Sequence, residues 1–337
     1  MPDVVILVLA KQGIRRQFFV FLAACLVASS VLAEWHSDTQ SIMGTRVHAE
    51  IWQEDAAVGQ RVLAEIMAEM RRIDAAFSTF RETSELSRLN REAGKGWMSV
   101  SDELFELLQK SRNVSDLTNG AFDITYASVG RYYDYRAGER PDDETIRTAL
   151  AAINYRYVEL DERTGMVRYT HPDVYVDLGG IAKGHAVDLC AAILAREGIE
   201  QGTISAGGDS RVVGDRRGKP WTVGIRDPRR EDAMLAVLPL IDTAVSTSGD
   251  YERFFEENGV RYHHILDPDT GDSARETRSV TVLGDNATFT DALSTSVFVL
   301  GPIEGLKLID SLPGVDAIVI DAEGVMRYSA ELDELTH

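Results

Sequence analysis

Two short stretches concentrate side chains able to do chemistry. The first is D-L-G-G-I-A-K-G-H-A-V-D, Asp177 to Asp188. The chain enters it from V-Y-V, with Val174, Val176 and Leu178 alternating as on a strand. It leaves into A-V-D-L-C-A-A-I-L-A-R-E-G, whose spacing is helical and whose Gly198 marks a stop. Strand, glycine turn and helix together aim free backbone N–H groups at an anion. The stretch follows neither the Walker pattern nor G-x-G-x-x-G, so it predicts an anion without naming one. Lys183 has two readings: a solvated lysine at a helix start, or a cation beside a phosphate or carboxylate. The positive end of a helix disfavours an unpartnered lysine. Gly179 and Gly180 would let a backbone carbonyl or amide approach a ligand closely.

The second stretch is T-D-A-L-S-T-S-V-F-V-L-G, Thr290 to Gly301. Asp291 and Thr295 stand four apart, so a helix places them as neighbours on one face. A carboxylate and a hydroxyl are hard oxygen ligands suited to Mg²⁺. Taken alone the spacing is weak, because an N-terminal capping role for Asp291 is the more frequent arrangement. The apolar neighbours Ala292, Leu293, Val297 and Phe298 make the helix partly buried, so both polar groups need a partner.

A third stretch, R-Y-H-H-I-L-D-P-D-T-G (261–271), offers His263 and His264, followed by a turn at Pro268 and Gly271. Adjacent residues on a strand point to opposite faces, so at most one of the two histidines serves a given site. Just upstream, S-T-S-G-D-Y-E-R-F (246–254) is read as three hydroxyls and a glycine at a helix start. Met43, Phe80 and Phe122 could stack on a flat cofactor, though residues of each type are more often plain core.

These residues need elements to position them. Val58, Val62, Ile66, Met70, Ile73 and Phe77 recur at helical steps over 55–77. A second helix begins at the N-cap Ser101 and ends at Gly120. Further helices are expected over 144–152, 251–258, 287–300 and 303–311. Strand-like runs occur at 47–52, 156–160, 166–170, 202–206, 221–225 and 279–283, separated by turns such as 161–165 and 214–220. Hairpins grouped apart from helices predict an α+β fold with mainly antiparallel sheet and packed helices.

The bulk properties exclude some functions. The formal net charge of −19 argues against nucleic acid or an anionic membrane surface as the main partner. At the N-terminus Lys11, Arg15 and Arg16 precede an apolar run ending at Ala33, the pattern of a secretory signal over residues 1–33. Cleavage after Ala33 suits the ordinary signal peptidase, whereas L-A-A-C, ending at Cys25, is similar to a bacterial lipobox. Either places the mature chain, read as one domain over 34–337 with room for two lobes, outside the cytoplasm, in the periplasm or lipid-anchored at the inner membrane. Cys190 is then the sole cysteine, which excludes an internal disulfide and a cysteine metal cage.

Nine segments taken in order resemble the ApbE family of exported FAD:protein FMN transferases. They are S-I-M-G-T-R (41–46), S-E-L-S-R-L-N (84–90), G-A-F-D-I-T (120–125), V-D-L-G-G-I-A-K-G-H-A-V-D (176–188), S-A-G-G-D (205–209), W-T-V-G-I-R-D-P (221–228), S-T-S-G-D-Y-E-R (246–253), H-H-I-L-D-P-D-T-G (263–271) and D-A-L-S-T (291–295). The resemblance covers nearly all the mature chain and implies an ApbE-like, T-fold-related architecture. It further implies Mg²⁺-dependent transfer of FMN from FAD to a Ser or Thr hydroxyl of an acceptor protein, with release of AMP. The acceptor would carry a Ser/Thr flavinylation motif and belong to a membrane redox complex. By the same resemblance Met43, Phe80, Ala121, Phe122, Asp123, Asp177, Lys183 and Ile265 line the FAD site. The backbone oxygen of Gly180, with Asp291 and Thr295, holds the metal. Asp177 and His264 are the candidate bases for the acceptor hydroxyl. The chain departs from the family pattern at Asp269, where arginine is frequent, and at Thr290, where alanine is. Two other functions compete: a Mg²⁺-dependent FAD pyrophosphatase using water, and a non-catalytic periplasmic flavin-binding protein.

Overall fold

The computed structural model describes residues 34–336; the segment 1–33 expected to be a secretory signal, with Cys25, lies outside the described residues. In chain order the first elements are β1 (Glu34–Ile42), β2 (Thr45–Gln53), α1 (Ala56–Phe77), α2 (Glu85–Glu92), β3 (Met98–Ser99) and α3 (Asp102–Leu117). Next come α4 (Ala127–Gly130), α5 (Asp143–Leu150), β4 (Val158–Asp161), β5 (Met166–Tyr169), α6 (Ala182–Arg196), β6 (Gly202–Ala206) and β7 (Asp209–Val213). The hairpin β8 (Trp221–Asp227) and β9 (Arg230–Leu240) precedes β10 (Ala244–Gly249), β11 (Phe254–Glu257), β12 (Val260–His263) and β13 (Thr277–Gly284). The chain closes with α7 (Ala287–Asp310), β14 (Asp316–Asp321), β15 (Met326–Tyr328) and α8 (Ala330–Thr336).

One eight-stranded sheet organises the fold, in the order β1-β2-β6-β7-β10-β13-β14-β15. Every neighbouring pair in it is antiparallel. Three helices form a layer against it. Helix α1 packs on β1 and β2, α6 on β6 and β7, and α7 on β10, β13 and β14, while α6 touches both other helices. The α1 stripe behaves as its spacing dictates: Val62, Ile66, Met70 and Ile73 are fully buried, and Asp55 caps the helix by accepting from the N–H groups of Ala57 and Val58. The β8–β9 hairpin packs apolar side chains such as Ile225 and Leu238 against Ile318 and Ile320 of β14. Strand β14 is thus buried on both faces, and D-A-I-V-I-D reads as a continuous apolar run. Helix α7 is apolar and long enough to cross a membrane, but over half of its apolar window is buried inside the fold, as in a core helix.

Four expectations are corrected, and a fifth is refined. The helix expected over 251–258 is instead the hairpin β11–β12, because Asn258 and Gly259 both take positive φ (52° and 78°). That two-residue turn is the type I′ connection Asn-Gly favours, and it outweighs the helical spacing. The hydroxyls of 246–248 belong to β10, not to a helix start. Segment 174–178 is extended but pairs with no strand. Asn90 takes the place of a neighbouring strand, donating to the Val176 carbonyl and accepting from its N–H (both 2.8 Å). The turn at 214–220 does not close a hairpin: β8 pairs with β9, while β7 lies in the large sheet. The two helices expected over 287–300 and 303–311 are both present within α7, divided by the non-helical Gly301 (φ 77°) and Pro302.

Candidate active site at the crossing of α6 and α7

The site is built where α6 crosses α7, and a glycine sets that crossing. A Cβ on Gly184 would lie 2.1 Å from the Ala287 carbonyl oxygen and 2.8 Å from Asp291 Cβ, so no other residue fits without moving a helix. The absent side chain lets the Gly184 N–H donate to Asp291 Oδ2 at 2.9 Å. Asp188, one turn further along α6, accepts from the N–H groups of Ala287 and Thr288 (2.9 and 2.8 Å) at the start of α7. Asn286 caps the same end through the Phe289 N–H. Asp291 is therefore no cap; it lies inside the helix, 2 % exposed.

Lys183 sits between two buried carboxylates. Its Nζ is 2.7 Å from Asp209 Oδ2 and 3.2 Å from Asp291 Oδ1. Burial alone would lower the lysine pKa, but Asp209 and Asp291 outweigh it and hold the ammonium charged. Asp291 feels the reverse. Burial, then the neighbouring Asp209 charge, push its pKa up to about 7 against the opposing pull of Lys183. Two carboxylates with one lysine leave the cluster short of positive charge.

The residues expected to hold a metal lie beside this cluster. Thr295 is one turn beyond Asp291, and its Oγ1 lies 3.3 Å from Ser248 Oγ, which also meets Ser294 Oγ at 2.8 Å. A Cβ on Gly180 would fall 3.4 Å from Thr295 Oγ1 and 3.3 Å from the Phe122 ring. Gly180, Thr295 and Phe122 are thus neighbours. A carboxylate, a hydroxyl and a backbone carbonyl fit a hard divalent cation, and the charge deficit at Asp291 suits one.

The flavin-lining candidates divide. Asp177 accepts from Thr79 Oγ1 (2.9 Å), Tyr126 OH (3.2 Å) and the Gly179 N–H (2.7 Å). This anchors the loop that carries Phe80, whose ring is 88 % exposed and free to cover a flat ligand. Met43 and Gly44 (φ 55° and 70°) form the two-residue turn from β1 to β2, a type I′ connection that asks for positive φ at both positions and rarely takes a methionine. A Cβ on Gly44 would lie 3.4 Å from Arg253 Nη2, and the Arg253 carbonyl accepts from the His264 N–H at 3.1 Å. The Met43 turn, Arg253 and His264 are thus linked. Ala121 is half-buried beside Phe122, which is buried with its N–H on Thr118 Oγ1. Ile265 is buried in the cluster formed by β13 and α7. Asp123 does not face this cluster with free oxygens. Its carboxylate accepts from Thr125 N–H and Oγ1 (2.7 and 2.6 Å) and from the Tyr155 N–H (2.7 Å). Burial raises its pKa, and the Thr125 bonds partly offset this. Its link to the site runs through the turn it caps, which carries Tyr126 towards Asp177.

The two histidines separate as expected. His263 is buried, with Nε2 2.8 Å from the Ala274 carbonyl oxygen. His264 is half-buried, and its Nδ1 has no hydrogen-bond partner among the described residues. Burial, then the charge of Arg253, and more weakly His263 and Lys183, push the His264 pKa down to about 3. The imidazole is neutral at neutral pH. Of the two candidate bases, Asp177 is engaged by three donors and His264 Nδ1 by none.

Sequence reasoning missed Asp209, Gly184, Asp188, Ser248 and Arg253. All lie inside the segments that carried the resemblance, but nothing in their local spacing reveals that they converge. The departures are benign: Thr290 Oγ1 bonds Ser246 Oγ at 2.8 Å, and Asp269 is exposed in its turn.

The chain is similar to known proteins along most of its length. The ApbE family model matches residues 43–319. The chain is 31% identical to the FAD:protein FMN transferase of Treponema pallidum over 316 residues, covering 88% of this chain and 87% of the relative. It is 31% identical to the FAD:protein FMN transferase of Vibrio cholerae, covering 86% of this chain and 88% of the relative. Among solved structures, the ApbE protein of Thermotoga maritima superposes with a TM-score of 0.83 at 33% identity, covering 90% of this chain and all of that one. The flavin transferase ApbE of Vibrio cholerae gives 0.80 at 28% identity, covering 90% and 99%. An antiparallel sheet layered by three helices, a glycine-set helix crossing and this degree of likeness lead to one statement: the chain belongs to the ApbE family.

Proposed function

We propose that this chain is an FAD:protein FMN transferase that moves FMN from FAD to a Ser or Thr hydroxyl of an acceptor protein and releases AMP. The observation that carries the reading is the Lys183–Asp209–Asp291 cluster beside Thr295 and Gly180, in a chain whose relatives bear that enzyme name. In the reaction the acceptor oxygen attacks the FMN phosphorus, and the bond from that phosphorus to the bridging oxygen of AMP breaks. AMP leaves with the electron pair, and the hydroxyl proton passes to a base.

Asp291, Thr295 and the Gly180 carbonyl would hold Mg²⁺, which when bound supplies charge to neutralise the pyrophosphate oxygens. Lys183 fixes Asp291 against Asp209 and brings a cation to the start of α6, where backbone N–H groups favour the same anionic ligand. Asp177 holds the Thr79–Phe80 loop so that the aromatic ring closes over the flavin. His264, whose buried Nδ1 has no partner among the described residues, is the candidate base once acceptor binding opens that nitrogen to the hydroxyl.

The acceptor is read as an exported domain of a membrane redox complex, because the leader over 1–33 sends this chain to the same side. Cleavage after Ala33 and lipidation at Cys25 are distinguished by the intact mass of the mature protein. The activity is tested by mixing the protein, FAD, Mg²⁺ and a domain with a Ser/Thr flavinylation motif. Covalent flavin fluorescence on the acceptor in a denaturing gel, with equimolar AMP, is the expected result. FMN and AMP without a labelled acceptor would establish a pyrophosphatase; FAD binding without AMP would establish a binding protein.

A further inference from the structure

A second pocket, of about 170 Å³, has the opposite charge. Its walls include Arg229, Arg261, Arg275 and Arg278, with Asp250 as the one acid and Thr277 as a hydroxyl. Four arginines converging in a chain of net charge −19 is a strong local departure. Three of them have carboxylate partners. Arg229 grips Asp250 with two bonds (2.8 and 2.7 Å), Arg261 bonds Glu256 at 2.9 Å, and Arg275 reaches Asp272 at 3.3 Å.

Arg278 is different. Among the described residues it forms no ion pair, and its one side-chain bond goes to the Ala322 carbonyl oxygen. A Cβ on Gly324 would lie 2.9 Å from Arg278 Nη1, so the glycine leaves the guanidinium its place. Independently, Thr277 is only 3 % exposed, lines the pocket, and its hydroxyl has no partner among the described residues. One cavity thus holds a buried hydroxyl without any partner and a guanidinium without a carboxylate. The volume lies well below the roughly 300–1,000 Å³ of ordinary organic-ligand sites, which excludes a dinucleotide.

The geometry points to a binding site for a phosphate-class oxyanion, either free inorganic phosphate or the phosphomonoester of a small nucleotide, held by Arg278 and Thr277 within the charge of the other three arginines. A fork of N–H donors and a hydroxyl is the donor set such an anion takes. The pocket adjoins the transfer site: Asp250 is two residues past Ser248, its N–H donates to the Arg278 carbonyl at 3.0 Å, and His263 precedes His264. An occupant would tie these flanks together.

The test titrates inorganic phosphate, and separately AMP, into the full chain without FAD or metal, by calorimetry and thermal shift. Wild type is expected to bind phosphate, with Arg278→Gln weakening it at least about tenfold and Thr277→Val weakening it severalfold. FAD binding should be unchanged in both variants. A parallel loss of AMP affinity in Arg278→Gln identifies a nucleotide-borne phosphoryl group; loss of phosphate alone identifies the free ion. Phosphate affinity unaltered in both variants, or no phosphate binding by wild type at about 10 mM, overturns the assignment. Should circular dichroism show Arg278→Gln unfolded, Thr277→Val, which keeps the side-chain shape, decides alone.

Discussion

At the crossing of α6 and α7, two buried carboxylates share one lysine; around β12 and β13, four arginines line one pocket with Asp250 as its one acid. The first cluster is short of positive charge and the second of negative charge. Buried charge left uncompensated is costly, so each imbalance marks a place for a counter-charge from solution. The means of construction also differ. The crossing is fixed by backbone: Gly184 brings the helices together, Asp188 and Asn286 cap α7, and a main-chain N–H holds Asp291. The arginine pocket is fixed by side chains, with Arg229 locked on Asp250 and Arg278 left open. A position set by packed backbone suits chemistry that tolerates little displacement.

Removing the cation from the first cluster should have the largest effect on stability. Lys183→Met leaves Asp209 and Asp291 facing each other, and denaturant unfolding at pH 8 should show a loss of about 3–5 kcal/mol. The loss should shrink at pH 5, where Asp291 takes up a proton; an equal loss at both pH values would mean that the lysine contributes by packing alone. Next is the crossing itself. Gly184→Ala inserts a methyl 2.1 Å from a backbone oxygen and should cost at or above the upper end of the about 1–3 kcal/mol typical of overpacking. A stability equal to wild type would show that α6 can shift freely and that the crossing does not set Asp291.

The smallest effect is in the pH dependence of metal-free stability. Asp291 titrates near 7 in the fold against 3.8 ordinarily, so its contribution is full below 3.8 and is lost as pH rises to 7. His264 titrates near 3 against 6.5, so its contribution is full above 6.5 and is lost as pH falls to 3. The two oppose each other between 3.8 and 6.5. Asp291→Asn should steepen the rise of stability with pH in that window by about one proton's worth of slope, and His264→Gln should make it shallower. Parallel melting profiles for both variants and wild type would remove the electrostatic part of the account.

What could be read from the sequence follows the range of the interactions. The α1 stripe, the Ser101 cap and the Asp291–Thr295 pair are local, and spacing alone places them. The hairpin at 254–263 is written just as locally in Asn258-Gly259, whose turn preference competes with the helical spacing around it. Asp209 and Gly184 could not be read this way. Asp209 matters only because β7 brings it to Lys183, and Gly184 only because α7 passes 2.1 Å from a Cβ it lacks. The strand expected at 174–178 failed for a related reason: Asn90, far away in sequence, takes its backbone hydrogen bonds.

The central claim is that Asp291, set by the helix crossing, holds the metal that flavin transfer needs. The most direct measurement follows AMP release and acceptor labelling against Mg²⁺ concentration for wild type and Asp291→Asn. The account expects saturable Mg²⁺ dependence in wild type and a drop of about 100-fold or more in the variant, unrepaired by excess metal. Wild-type rates in Asp291→Asn, or transfer unaffected by chelation of divalent ions, would contradict it.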